Sequence, residues 1–132
     1  PEHAEVGREN MNRASNALKE FPDWTLIEGD VTDVSFDEIV KEFDAIILDL
    51  PEPWPVISAL SKKLRYGGRI ACYCPVSSQL EKSWEACEEA GLKVDWAGEM
   101  MERVWTKASR GGVRPGNTPM GHTAFLLIAE RT

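Results

Sequence analysis

Apolar positions Ala4, Gly7, Met11, Ala14, Leu18 and Phe21 recur at intervals of three and four, with Arg8, Glu9, Asn12, Arg13, Asn16, Lys19 and Glu20 between them. This is the period of an amphipathic helix, and Pro22-Asp23 is expected to stop it. Trp24 to Glu28 then reads as a short strand ending at Gly29-Asp30. Ser35-Phe36-Asp37-Glu38 has the capping-box form that starts a helix running to about Glu42. Ala45 to Leu48 is apolar at every position, which predicts a central parallel strand covered on both faces. It ends on Asp49.

Pro55 opens a further helix that carries Val56, Ile57, Leu60 and Leu64 and is expected to end at Gly67-Gly68. Arg69 to Pro75 is the next strand. Ser78-Gln79-Leu80-Glu81 is a second capping-box pattern, and its helix is expected to bury Leu80, Trp84 and Cys87 before Gly91 stops it. Leu92, Val94 and Trp96 alternate with Lys93, Asp95 and Ala97, so another strand follows, extended toward Trp105 after a break at Gly98. A polar, Gly/Pro-rich loop from Lys107 to Gly121 leads to the last strand, His122 to Ala129.

Alternating helices and strands imply an α/β fold with a mostly parallel sheet and helices on both faces. The last two strands lack a helix between them and are expected to be antiparallel neighbours. A parallel sheet closed by an antiparallel hairpin is the ending that distinguishes the class I methyltransferase fold from ordinary dinucleotide-binding domains.

The composition changes this picture little. With 132 residues, 42% of them hydrophobic, the chain is expected to form one domain over residues 1–132 with no internal boundary. It contains no run of ~20 apolar residues, and Pro1 to Arg8 is polar, so a soluble, cytoplasmic protein without a membrane segment is expected. Cys72, Cys74 and Cys87 form no C-x-x-C pair and no zinc-type cluster; they read as reduced core thiols, with Cys72 and Cys74 expected on opposite faces of a strand. No metal is expected.

Charge matters more, because it is unevenly placed. The net charge is −7, and residues 1–102 hold 21 acidic and 10 basic side chains. From Arg103 through Ala129 there are four basic residues, Arg103, Lys107, Arg110 and Arg114, and no acidic one. That segment is the part of the chain suited to phosphates, with a solvated loop as the alternative.

Ligands of open parallel sheets sit outside the carboxyl ends of the strands. Three such ends are informative: Gly29-Asp30-Val31, Asp49-Leu50-Pro51-Glu52-Pro53-Trp54, and Tyr73-Cys74-Pro75 with Gln79 just beyond. Asp30 can equally be a turn former. Asp49 stands out because it follows four apolar residues and precedes a turn stiffened by three prolines, which fixes a carboxylate and an aromatic ring in place. Trp54 can stack on a base or pack in the core. For His122 a structural hydrogen bond is expected rather than catalysis.

These stretches, together with Glu102-Arg103 near Trp105, Arg114-Pro115 and Gly121-His122-Thr123-Ala124-Phe125-Leu126, resemble the bacterial and archaeal tRNA N1-adenosine-58 methyltransferases over nearly the whole chain. The resemblance implies S-adenosylmethionine as cofactor, tRNA as substrate and a homo-oligomer, a tetramer in that family. It implies that Asp30, Val31, Asp49 and Leu50 contact the cofactor, that Asp49 is catalytic, and that Trp54, Tyr73, Gln79, Lys107, Arg110 and Arg114 serve the substrate. The chemistry agrees. Adenine N1 is neutral with an available lone pair, so it needs alignment rather than deprotonation, and a carboxylate on the exocyclic amine would orient the ring and stabilise its developing positive charge.

The glycine-rich loop and the ribose-binding acid of such folds are not visible, since Gly67-Gly68 and Gly111-Gly112 fall elsewhere. By the resemblance the chain is expected to begin after that loop, without the first two sheet strands and the small N-terminal β domain, and to bind cofactor poorly and be inactive alone. Those two strands would lie between the one ending at Asp30 and the one ending at Asp49. Two alternatives remain. One is an exocyclic-amine adenine methyltransferase, since Asp49, Pro51 and Trp54 resemble its acid-proline-proline-aromatic motif. The other is a non-catalytic RNA-binding or scaffolding subunit of the same fold.

Overall fold

A computed structural model describes residues 2–33, 41–116, 121 and 123–132. They fall into two compact units, Pro1–Ser35 and Phe36–Thr132.

In the first unit, helix α1 spans Glu2–Ala17 and closes on a Leu18 amide to Ala14 carbonyl bond of 3.1 Å. It therefore stops one turn earlier than Pro22 would require. Arg8 lies 3.2 Å from Glu28 and 3.3 Å from Glu5, tying the helix to the segment that follows it. Trp24 to Glu28, expected as a strand, forms none. A strand exists only through its ladder, and no described segment pairs with this one. The helix expected from Ser35 lies outside the described residues but for its end, and residues 41 and 42 are not helical.

The second unit contains β1 (Phe43–Leu48), α2 (Trp54–Ser61), β2 (Leu64–Cys74), α3 (Ser77–Glu89), β3 (Lys93–Gly98), β4 (Trp105–Lys107), β5 (Val113–Pro115) and β6 (Phe125–Glu130). Four strands form one sheet in the order β1-β2-β6-β3. β1 and β2 are parallel, and β6 runs antiparallel to both β2 and β3. The expected antiparallel pairing of the last two long strands is thus present, and it closes a mixed α/β sheet of the class I methyltransferase type.

Both α2 and α3 pack on one face of this sheet. Ile57, Leu60, Leu64, Ile70, Cys72, Cys74, Cys87, Leu127 and Ala129 are buried there, each large aliphatic among them contributing roughly 1.5–3 kcal/mol. Cys72 and Cys74 share that face, correcting the expectation of opposite ones, because residues two apart along a strand point the same way. Their thiols are pushed up, Cys72 by its bond with Cys87 and by burial, Cys74 by burial. The prediction that β1 is covered on both faces also fails. It is an edge strand among the described residues, and Ile47, on the face away from α2 and α3, is 79% exposed.

Two glycines expected at the end of α2 instead form a bulge in β2. The β1–β2 register runs Phe43 to Leu64 and then Ala45 to Arg69, so residues 65–68 are looped out of the ladder. Gly67 has φ +74°, and a Cβ on Gly68 would lie 2.8 Å from the Arg65 carbonyl oxygen and 3.2 Å from those of Phe43 and Asp44. Arg131 holds the bulge: its carbonyl accepts from the Gly67 amide at 2.7 Å, and its guanidinium donates to the carbonyls of Lys62 and Leu64. Gly91 does stop α3 as predicted, at φ +75°. Trp84 departs from the predicted burial, being 38% exposed with its indole nitrogen 2.8 Å from Glu88.

The segment read as a loop from Lys107 contains a hairpin. β4 and β5 pair antiparallel, with Trp105 opposite Pro115, Thr106 opposite Arg114 and Lys107 opposite Val113. Residues 108–112 connect them, with Gly111 at φ +91° and Gly112 at φ +81°, values that favour glycine over any other residue.

Candidate active site

Asp49 is the first residue after β1. Leu48 pairs with Cys72 in the parallel ladder, so the register carried one residue further brings Asp49 beside Tyr73, on the sheet face away from α2 and α3. The Asp49 side chain is exposed, and its carboxylate has no hydrogen-bond or ion-pair partner among the described residues. Tyr73 is 43% exposed. An exposed carboxylate and a half-exposed tyrosine thus stand at the carboxyl ends of two adjacent parallel strands.

The turn after Asp49 is rigid for reasons the sequence states. Pro51 and Pro53 fix two backbone angles; Pro53 is fully buried and occupies the N-cap of α2. Trp54 begins α2 and is partly exposed, with the Lys82 ammonium 4.6 Å from its ring centre. Leu50 is partly buried. Gln79, in the first turn of α3, reaches both ways: its Oε1 accepts from the Val76 amide at 3.1 Å, and its Nε2 donates to the Pro51 carbonyl at 2.8 Å. The cap of α3 is therefore extended Val76, with φ −131° and ψ 152°, rather than the predicted Ser78, and Gln79 supplies the reciprocal half of a capping box.

Other side chains gather at the same end of the sheet. β6 enters opposite Cys74 and Gly98, so the residues just before it and just after β3 lie at the carboxyl edge. There Thr123 Oγ1 donates to Glu99 at 2.6 Å. Sequence reasoning does not single out Glu99 or Lys82, since each acts through a partner distant in the chain. His122 lies outside the described residues.

Asp30 belongs to the other unit. Its Oδ1 accepts from the Thr32 amide at 2.9 Å and the Thr32 hydroxyl at 2.7 Å, an Asx turn. The hydroxyl first, then the amide, holds its carboxyl below the usual carboxylate range. Val31 follows, partly buried. Lys107, Arg110 and Arg114 are exposed on the β4–β5 hairpin: Arg110 in its turn, Arg114 on the Thr106 face, and Lys107 on the face shared with Trp105 and Val113. Among the described residues no cluster of His, Cys, Asp or Glu is arranged to hold a metal, and no helix is long and apolar enough to cross a membrane.

The family model for the GCD14 subunit of the tRNA methyltransferase complex matches residues 7–110, a span that includes both Asp30 and the Asp49–Trp54 turn. The chain belongs to this family. A relative from Methanocaldococcus jannaschii, the tRNA (adenine(57)-N(1)/adenine(58)-N(1))-methyltransferase TrmI, is 34% identical over 98% of this chain and 52% of its own length. The crystal structure of the tRNA (m1A58) methyltransferase TrmI from Aquifex aeolicus superposes with a TM-score of 0.63 at 25% identity, covering 78% of this chain and 40% of that one. A putative methyltransferase from Thermoplasma acidophilum gives 0.63 at 27% identity, covering 93% and 53%. The chain thus spans about half the length of the Methanocaldococcus relative it matches.

Proposed function

We propose that the complete protein transfers a methyl group from S-adenosylmethionine to N1 of an adenosine in tRNA, with residues 1–132 as part of its methyltransferase domain. The observation that carries this reading is Asp49: an exposed carboxylate without a partner among the described residues, fixed by a proline turn at a strand end beside Tyr73. The names of the relatives support the same chemistry.

S-adenosylmethionine is a sulfonium cation that also bears an ammonium and an adenine amine. Acceptors in each unit suit its groups: Asp49 with Leu50 suits the charged side, and Asp30, its carboxyl held low by Thr32, suits with Val31 an adenine amine. When bound, the cofactor supplies an electrophilic methyl. The chain's own part is orientation. Asp49 accepts a hydrogen bond from the exocyclic amine of the target adenine, which aims N1 and stabilises the charge the ring acquires. Tyr73 and Trp54 offer aromatic surface to that base. Lys107, Arg110 and Arg114 hold tRNA phosphates.

Two finer points belong to the same reading. A homo-oligomer is in keeping with the exposed Trp105 (60%) and Val113 (68%) of the hairpin, which flank Lys107 on one face. A cytoplasmic location is in keeping with action on tRNA. Mass spectrometry of nucleosides from tRNA treated with the complete protein and cofactor tests the proposal. Appearance of N1-methyladenosine supports it; methylation of the exocyclic amine alone, or none, refutes it.

A further inference from the structure

The Asp49–Pro53 turn is held from outside itself. It forms no strand or helix, and α2 behind it starts without a side-chain cap. What reaches it is Gln79. The Nε2 of Gln79 donates to the carbonyl of Pro51, two residues from Asp49, while Oε1 takes the Val76 amide. The backbone of Gln79 is fixed in its turn. Its carbonyl accepts from the Ser83 hydroxyl at 2.7 Å, and Ser83 is fully buried with its oxygen 3.7 Å from the Cys74 sulfur of β2. A line of bonds therefore runs from the core of β2, through the first turn of α3, to the loop that carries the carboxylate.

The chemistry of this bridge is selective. It needs one side chain that accepts at one atom and donates at another at neutral pH, with the reach of three carbons. Asparagine is a methylene short, glutamate cannot donate once ionised, and lysine cannot accept. Both the oxygen and the nitrogen of this side chain already have protein partners, which fixes its orientation.

We infer that Gln79 is a positioning residue: it sets the place of Asp49 through the Pro51 carbonyl rather than by touching tRNA. This rests on the role of Asp49 given above. A displaced carboxylate loses alignment with the base, and a misplacement of about 1 Å costs up to about 10²-fold in rate.

Gln79→Glu in the complete enzyme separates the bridge from the helix cap. Its carboxylate still accepts from Val76, so α3 stays capped, but it repels the Pro51 oxygen. We expect kcat to fall ~10-fold or more at pH 8 with KM for tRNA within twofold of the parent, as for an interaction felt in the transition state. As pH falls toward the glutamic acid range, the protonated side chain regains a donor, and the ratio of variant to parent kcat should rise. A raised KM with kcat unchanged would mean direct substrate contact and overturn the inference, as would a ratio that stays flat with pH. Hydrogen exchange over residues 49–54 tests the tether whether or not the protein methylates tRNA. It should quicken in Gln79→Glu and in Gln79→Ala, and unchanged exchange in both would overturn the inference on its own. A parent that binds tRNA yet forms no N1-methyladenosine, with faster exchange in the variants, would instead overturn the role of Asp49 and leave the tether standing.

Discussion

The Lys82 ammonium sits 4.6 Å from the centre of the Trp54 ring, so one face of the indole is covered by a cation from α3. A base that stacks on Trp54 must use the opposite face or displace the lysine. The pair also binds α3 to the start of α2, alongside the bond from Gln79 to Pro51. Because Lys82 is solvent-exposed, the interaction contributes between about 0.5 and 1 kcal/mol. Lys82→Ala should lower the unfolding free energy by that amount, read as a lower denaturant midpoint at unchanged slope, and Lys82→Arg should restore it. A midpoint unchanged in Lys82→Ala would remove any structural role for the stack.

For Asp49 the expected effect lies on rate. Asp49→Asn keeps the shape of the side chain and removes its charge, so the fold and the circular dichroism spectrum should be unchanged. In the complete enzyme kcat should drop by ~10² or more, the scale of removing one preorganised electrostatic interaction. Single-turnover methylation of tRNA measures it. A rate within twofold of the parent would assign the chemistry to another residue.

The basic hairpin predicts a salt effect. Removal of one cation that neutralises a tRNA phosphate should flatten the slope of log K against log salt by about 0.7 to 0.9, since one fewer counterion is released on binding. Changing Lys107, Arg110 and Arg114 together to Ala should therefore weaken tRNA binding and flatten its salt dependence, with cofactor affinity unaltered. Titrations at several salt concentrations give both quantities, and a parental affinity and slope would mark these residues as solvated surface.

A pH prediction comes from the far end of the sheet. Lys93, by hydrogen bond and charge, then Glu130 and Arg69, hold the Asp95 carboxyl below its usual range; Lys93 lies 3.2 Å away and Arg69 3.5 Å. A depressed folded value stabilises the protein at pH above the unfolded value of about 3.9 and gives that stability up as pH falls through the folded one. Asp95→Asn should therefore be less stable than the parent at neutral pH and converge with it in acid. Thermal melts at pH 7 and in that acid range show this, and curves that stay parallel would exclude the linkage.

The sequence announces some of this architecture and conceals the rest. Asp49 is legible because four apolar residues, a carboxylate and a proline turn are all local signals. The antiparallel closure is legible from a missing crossover helix. Gly67-Gly68 misleads because a helix end and a bulge ask the same thing of a glycine, and only the approach of the Phe43 and Asp44 carbonyls decides between them. The β4–β5 hairpin hides behind its brevity and behind Pro115, which argues against a strand until it is seen at an end. Its signal is Gly111-Gly112 between Trp105-Thr106-Lys107 and Val113-Arg114-Pro115. The hold of Gln79 on Pro51 and of Lys82 on Trp54 spans distant parts of the chain, and no periodicity encodes it.

β6 is the last strand of its unit in chain order, yet it lies between β2 and β3 and is bonded to both. During synthesis, β1 and β2 can pair as soon as Cys74 has left the ribosome, whereas β3 has no described neighbour until Phe125–Glu130 follows. The nascent chain thus carries a waiting slot beside β2, with the unpaired edges of β2 and β3 open to whatever chaperone or stray strand arrives first. A premature stop between Gly98 and Phe125 would leave that slot permanently open, so the cell should clear such truncated chains by proteolysis far faster than any single substitution in the Asp49 turn.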